Sequence, residues 1–391
     1  MSGTFVGLRL RVRPRLTLAA IVLLGALQLA TASPAQAAGG GGDNGNGFVQ
    51  TNLVSNLSGA ANQDANLKNP WGIVHSPTSP WWVSDNNGNV STLYDGTGAL
   101  FPPKAAGGPL VVNIPLPGQK TGGTPTGVVF NGVTTDFVVS AGGKSGPSAF
   151  IFATEDGTIA GWNPTVNRNQ AIIAVDNSVI PSAANGAVYK GLAIALTDAG
   201  QRLYASNFRA GTVDVFDSKF NPVRVKGAFT DKRIPKGYAP FGIQAIGTSI
   251  YVTYALQNDV KHDDLKGPHH GFVDVFSDKG ALLKRLIRRG ALNSPWGLAL
   301  APAGFGDFGG DLLVGNFGDG RINAYNISSG ELEGTLRDSN EKPIAIDGLW
   351  GIAFGNGHTA GPTGTLFFAA GINGETDGLF GSLVPAPQSN D

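Results

Sequence analysis

The sequence predicts an all-β fold, a six-bladed β-propeller with four antiparallel strands per blade, and three observations predict it. A glycine opens a short apolar run six times, in Asn69-Pro70-Trp71-Gly72-Ile73, Thr124-Pro125-Thr126-Gly127-Val128, Tyr189-Lys190-Gly191-Leu192, Ala239-Pro240-Phe241-Gly242-Ile243, Ser294-Pro295-Trp296-Gly297-Leu298 and Leu349-Trp350-Gly351-Ile352. The intervals between these glycines are 55, 64, 51, 55 and 54 residues, the spacing of a radial repeat. A second register runs in phase with the first: Gly88, Gly157, Gly211, Gly271, Gly320 and Gly378 each sit between two strand-like runs. Composition agrees, because 58 Gly and 24 Pro make the chain turn-rich while 41% hydrophobic residues suffice for a packed core. A pair of β-sandwiches is the alternative for any Gly-rich all-β chain, but it does not account for two phased registers.

Taken in order, the chain opens on a targeting segment. Arg9, Arg11, Arg13 and Arg15 are followed by an apolar stretch over 16–30 and by Ala35-Gln36-Ala37, the small-x-small pattern of signal-peptide cleavage. Residues 1–38 are therefore expected to be a signal peptide, and the mature protein to be secreted, or extracytoplasmic, without a membrane span. Residues 39–47 are a Gly/Asn-rich linker. Phe48-Val49-Gln50-Thr51-Asn52-Leu53-Val54 is a strand belonging to no blade of its own. The sixth repeat in turn runs out after its third strand, at 379–383, so the N-terminal strand is expected to complete it and close the ring. The propeller then spans 48–383, and 384–391 is a short polar tail.

Within each repeat the pattern is strand, tight turn, strand. Val213-Asp214-Val215-Phe216 and Val273-Asp274-Val275-Phe276 alternate with the period of two that a pleated strand requires. Asn87-Gly88, Asp156-Gly157, Asp319-Gly320 and Asp377-Gly378 are dipeptides that tolerate positive φ in hairpin loops. Outer strands are expected at 110–114, 171–175, 224–229, 282–287 and 332–336.

The absence of cysteine excludes disulfides, thiolate chemistry and Cys-zinc sites, and in an exported protein it points to a bacterium. Removing residues 1–38 takes away four arginines and no acids, leaving 24 basic against 28 acidic residues, a poor balance for nucleic acid. There is no His-Glu-x-x-His helix, no Gly-x-Ser-x-Gly elbow and no EF-hand loop. Gly143-Lys144-Ser145 resembles the end of a P-loop, but Val138 stands where the first glycine belongs.

In an antiparallel blade the start of the inner strand and the end of the second strand lie at one face of the ring. That face is expected to gather Asn69, Asp85, Asn86, Glu155, Asn207, Asn316, Asp347, Asn373 and Glu375. Carboxylates and amides around a channel suit a small molecule, a glycan or a divalent cation such as Ca²⁺, with Glu155, Asn207, Asn316 and Asp347 as the metal candidates. The competing reading is turn capping by Asx hydrogen bonds. The fourth repeat carries a polar insertion over 257–270 with three of the five histidines. There His262 is the candidate general base or ligand, flanked by Asp263 and Asp264, and the loop is a candidate lid for the channel. Trp71, Phe241, Trp296 and Trp350 recur at one place in the repeat and are expected to be structural, wedged between neighbouring blades.

Further words carry a resemblance: Thr51-Asn52-Leu53-Val54-Ser55, Asn69-Pro70-Trp71-Gly72, Lys261-His262-Asp263-Asp264, Gly271-Phe272-Val273-Asp274-Val275-Phe276, Ser294-Pro295-Trp296-Gly297, Asn373-Gly374-Glu375 and Gly378-Leu379-Phe380-Gly381. Over nearly all of 48–383 the chain resembles an uncharacterised family of exported bacterial proteins, some of which end in a Pro-Glu-Pro-type sorting tail. This chain stops at Val384-Pro385-Ala386-Pro387 without one, so release is expected rather than surface anchoring. More distantly it is similar to six-bladed repeat propellers, a superfamily of lactonases, lyases and binding proteins. That breadth leaves three readings: a monomeric secreted propeller that binds a small molecule, glycan or protein; a metal-assisted, lactonase-like hydrolase or lyase; and an interaction scaffold.

Overall fold

A computed structural model of the chain describes residue 1 and residues 47–387, and the latter form six radial sheets around one axis. The expected signal peptide, apart from Met1, and the linker up to residue 46 lie outside the described residues. Blade 1 runs through Pro70–Val74, Trp81–Asp85, Val90–Tyr94 and Val112–Asn113. Blade 2 uses Pro125–Phe130, Phe150–Thr154, Thr158–Trp162 and Ile172–Asp176. Blade 3 has Tyr189–Thr197, Gly200–Asn207, Thr212–Asp217 and Pro222–Val223. Blade 4 has Tyr238–Ile246, Ser249–Leu256, Phe272–Ser277 and Leu282–Arg288. Blade 5 follows with Pro295–Leu300, Leu312–Asn316, Ile322–Tyr325 and Leu332–Thr335. Blade 6 takes three strands from the end of the chain, Leu349–Phe354, Leu366–Ala370 and Leu379–Pro385, and its fourth from the start, Phe48–Ser55.

The closing pair is antiparallel from Phe48 against Pro385 to Ser55 against Leu379, with a bulge between Asn52 and Val54. The last strand therefore continues through Val384 and Pro385, two residues that the sequence alone had assigned to the tail. Asn62–Gln63 adds a short parallel fifth strand outside the closing one.

The first glycine register has a steric cause. A Cβ on Gly72 would lie 2.5 Å from Thr126 O in the next inner strand, and one on Gly351 would lie 2.5 Å from Trp71 O. Inner strands approach one another this closely around the axis, so a side chain there would force the ring open. Between each pair of neighbouring blades lies one apolar seam. Trp81, Val83 and Tyr94 meet Phe367 and Phe380 where blade 1 joins blade 6, and Tyr204 meets Ile250 and Val252 between blades 3 and 4.

Two expectations need correction. The outer strand of blade 3 is not 224–229 but Pro222–Val223, because the chain turns over 226–229, with Gly227 at φ +79°. The last second-register turn is not a plain Asp-Gly hairpin: a short helical turn, Ile372–Glu375, is inserted, with Asn373 and Gly374 both at positive φ. Gly143 and Lys144 lie at the tip of a surface hairpin, Val138–Ala141 with Lys144–Pro147, so the P-loop-like letters open no helix.

Candidate functional site

The residue before each first-register glycine reaches toward the axis. Four of these six are aromatic, and they pack on one another across the centre of the ring instead of being confined to seams between neighbours. Trp71 and Trp350 stack at 3.4 Å, Trp296 meets both edge-on at 6.0 and 5.8 Å, and Phe241 lies 5.8 Å from Trp350. Phe317 stacks on Trp350 at 3.8 Å. These rings form a buried aromatic plug, so their faces serve one another and none is presented for stacking on a sugar.

The other two positions are Thr126, tied to Tyr189 O at 2.8 Å, and Lys190. Lys190 is 2% exposed, and its ammonium lies 5.1 Å over the Trp71 ring. A buried ammonium demands partners. It donates to Glu155, at the turn after the second strand of blade 2, and at 3.1 Å to Asp263 Oδ1 in the blade 4 insertion. Burial disfavours the charged amine, but the two carboxylates overcome it and raise the Lys190 pKa above its ordinary value.

Around this triad the polar groups are ordered. Asn86 donates to Glu155 Oε2 at 2.8 Å, and His262 Nδ1 lies 2.8 Å from Asp263 Oδ1. The His262 contact, aided by Lys190, holds the Asp263 carboxyl well below the usual carboxylate range. The insertion keeps its own shape, since Asn258 Oδ1 accepts from the His262 N–H and the Asn258 N–H donates to Asp263 O. Asn69 bridges downward and upward: its Oδ1 accepts from Trp350 Nε1 at 3.1 Å, and its amide donates to Glu375 Oε2 at 3.0 Å. Burial pushes Glu375 up. Lys266 Nζ sits 3.8 Å over the Phe317 ring, and burial also raises Asp264 against the opposing pull of the Ser294 side chain. In the plug, Trp71 Nε1 is a buried donor without a hydrogen-bond partner among the described residues.

The structure thus brings Asn69, Asn86, Glu155, His262, Asp263, Asp264 and Glu375 to one mouth of the channel. The other candidates are bonded to partners outside this cluster. Asp85 turns into the seam between blades 6 and 1, where Thr92 donates to it at 2.8 Å and burial raises its carboxyl strongly. Asn207 is bonded to Asp214, and Asn316 to Asp319 and Ala291 O, as seam and turn caps. Asp347 accepts the Asn373 N–H, and Asn373 donates to Asp377. Of the four residues expected to share a metal, then, only Glu155 belongs to the polar cluster around Lys190. Among the described residues the group with metal-ligand spacing is Glu155, His262 and Asp263, whose ligand atoms lie within 4.8 Å of one another. His269 and His270 are fixed to Gly290 O and Leu265 O, and His75 to the Ser76 and Phe354 carbonyls.

Two residues of the mouth were missed in the sequence, Lys190 and Lys266. Lys190 had a signal: a cation stands where four of the six repeats carry an aromatic. Lys266 had none, being one more charge in a polar loop.

No family model matches the chain. It is 33% identical over 341 residues to an uncharacterised protein of Acanthamoeba polyphaga mimivirus, covering 85% of this chain and 78% of that one. A second uncharacterised protein of the same virus is 33% identical over 342 residues, covering 85% and 84%. The chain belongs to the family of these mimivirus proteins. Among solved structures it is similar to a glucose dehydrogenase, with a TM-score of 0.51 at 13% identity over 87% of this chain and 100% of that one. It is also similar to virginiamycin B lyase from Staphylococcus aureus, with a TM-score of 0.44 at 12% identity over 87% and 99%. At that identity the likeness to the dehydrogenase shows the fold alone. No helix among the described residues is long and apolar enough to cross a membrane.

Proposed function

We propose that this is an exported bacterial binding propeller that holds a small polar ligand at the channel mouth on the face of the second-to-third strand turns. One observation carries the reading: Glu155 from blade 2, Lys190 from blade 3 and the His262-Asp263 pair from blade 4 converge over a buried aromatic floor. Two blades and the long insertion of a third contribute to one polar cluster, which folding alone does not require, since the plug and seams already fill the ring. Buried aromatic faces disfavour recognition by ring stacking, so hydrogen bonds and charge select the ligand.

The test is thermal denaturation of the chain with a panel of sugars, amino acids and divalent cations, compared with the His262→Ala/Asp263→Ala protein. A ligand at about a hundredfold its Kd stabilises the native state by about 2.7 kcal/mol. At least one member should raise the midpoint of the parent and not of the variant. Equal shifts in both proteins, or none in either, would count against the mouth.

A second reading, a metal-assisted hydrolase or lyase, is favoured by the spacing of Glu155, His262 and Asp263. One imidazole and two carboxylates suit Zn²⁺ or Mn²⁺ better than the Ca²⁺ expected from carboxylates and amides alone. The Lys190 ammonium competes for the same two carboxylates, so metal would have to displace it. A stoichiometric divalent ion in protein purified without chelator would favour this reading, and its absence would favour binding alone.

A further inference from the structure

The outer edge of blade 3 is left partly open. Its outer strand, Pro222–Val223, pairs only with Val215 and Phe216, while Thr212, Val213 and Asp214 are paired on their inner side alone, against Asn207, Ser206 and Ala205. Blade 1 also has a two-residue outer strand, but there Leu100 bridges to Tyr94 and the Phe101 N–H donates to Leu93 O, so the edge is covered. In blade 3 the Asp217 N–H points outward to Asn221 O at 2.9 Å. Outward groups recur at every second residue of an antiparallel strand. Val215 and Val213 therefore face outward too. Val215 meets Val223, whereas the N–H and C=O of Val213 meet no strand among the described residues.

Beyond Val223 the chain swings away, held by the Phe229 N–H on Gly280 O at 2.8 Å, and a cleft of about 900 Å³ is left between. Val213, Val215, Val223 and Phe229 line it, with Ile180 and Val225 on its flanks, 52% and 57% exposed. Arg202, Arg224, Lys226 and Lys279 stand at its border against Asp214 and Asp278. Asp214 is already engaged by Tyr189 and Asn207, and Arg224 and Lys226 are exposed and make no ion pair among the described residues.

We propose that this cleft takes an extended acidic segment of another polypeptide, added to blade 3 as a strand along Val213. An unpaired edge supplies main-chain hydrogen bonds, the apolar walls take every second side chain, and the basic border selects acidic residues between them. A small apolar molecule would fill the same volume but leave the Val213 groups unused. The surface lies on the outer edge of blade 3, so the inference stands apart from the channel-mouth reading.

The test is selection of a random ten-residue displayed peptide library on the full chain, then fluorescence anisotropy of the enriched peptides. Enriched sequences should alternate apolar with Asp or Glu, and binding should weaken as salt rises. Affinity should fall at least tenfold in Val213→Pro, whose ring replaces an outward N–H without breaking the ladder to Gly200–Asn207, and less than threefold in Val213→Ala. If Val213→Pro does not fold, the Arg224→Glu/Lys226→Glu protein decides, since both side chains are exposed, and it too should lose at least tenfold. A selection that enriches nothing, peptides without acidic residues, or binding unmoved by the charge reversal would overturn the proposal.

Discussion

At the scale of single residues the molecule divides buried charge into two kinds. Lys190 is buried and paired, so removing it strands Glu155. Lys190→Met should lower unfolding free energy by about 3 kcal/mol in urea titration, in the range for breaking a buried pair, and adding Glu155→Gln should recover part of that loss. Additive costs would show that the pair is not coupled. Asp274 is the opposite kind: it is 1% exposed, and neither carboxylate oxygen has a hydrogen-bond partner among the described residues. Burial, helped by the nearby Asp231, pushes its pKa to about 7, against an ordinary value of about 3.9 in an unfolded chain. A raised pKa means that the native state holds a proton the unfolded state releases. The stability this confers is complete below about pH 4 and is lost as pH rises through 7. Between pH 5 and 8 the midpoint of the parent protein should therefore fall relative to Asp274→Asn; parallel profiles would show that Asp274 does not titrate in that window. At this scale the sequence was legible where residues repeat and less so where they break the repeat. Asn207 and Asn316 read as rim residues because their positions in the unit are right, yet seam partners such as Asp214 turn them inward.

The elements fit together through backbone approach and edge closure. Gly242 packs its Cα against the backbone of Trp296, and a methyl group there has nowhere to go. Gly242→Ala should cost about 2 kcal/mol or more in chemical denaturation, whereas Gly200→Ala, with open space around it, should show only the smaller strain of its positive φ. Equal costs would remove the steric account of the first register. The closing strand is tested by truncation. Deleting residues 39–55 should expose the edge of Leu379–Pro385 and cause aggregation or a large loss of thermal stability, while deleting 39–46 should change little. A parent-like melting curve from the longer deletion would contradict the closure. Both elements were legible in the sequence because a period and an orphan strand leave marks in the letters. The edge of blade 3 was not: Arg224 to Phe229 looks like another outer strand, and only the turn around Gly227 and the tie of Phe229 to Gly280 pull it off the sheet.

For the molecule as a whole, the ring assembles a polar mouth that no single blade contains. The proposed export is tested at this scale as well: if it holds, the N-terminus of the mature protein should lie near Ala38 or Gly39 by intact mass, and a retained Met1 in a membrane fraction would argue for an anchor. The mouth itself was half legible. The letters identified the face, the insertion and His262 with Asp263, because long polar loops on a turn-rich face stand out. They did not reveal that Lys190, from the neighbouring blade 3, ties it down. Pairing over 73 residues depends on ring geometry, which the repeat implies but does not spell out. The most direct measurement is a crystal structure of the chain with the panel member that stabilises it most. The account predicts that ligand within hydrogen-bond distance of Glu155, Lys190 or Asp263 over the aromatic plug, and a ligand bound elsewhere with the Glu155-Lys190-Asp263 triad untouched would contradict it.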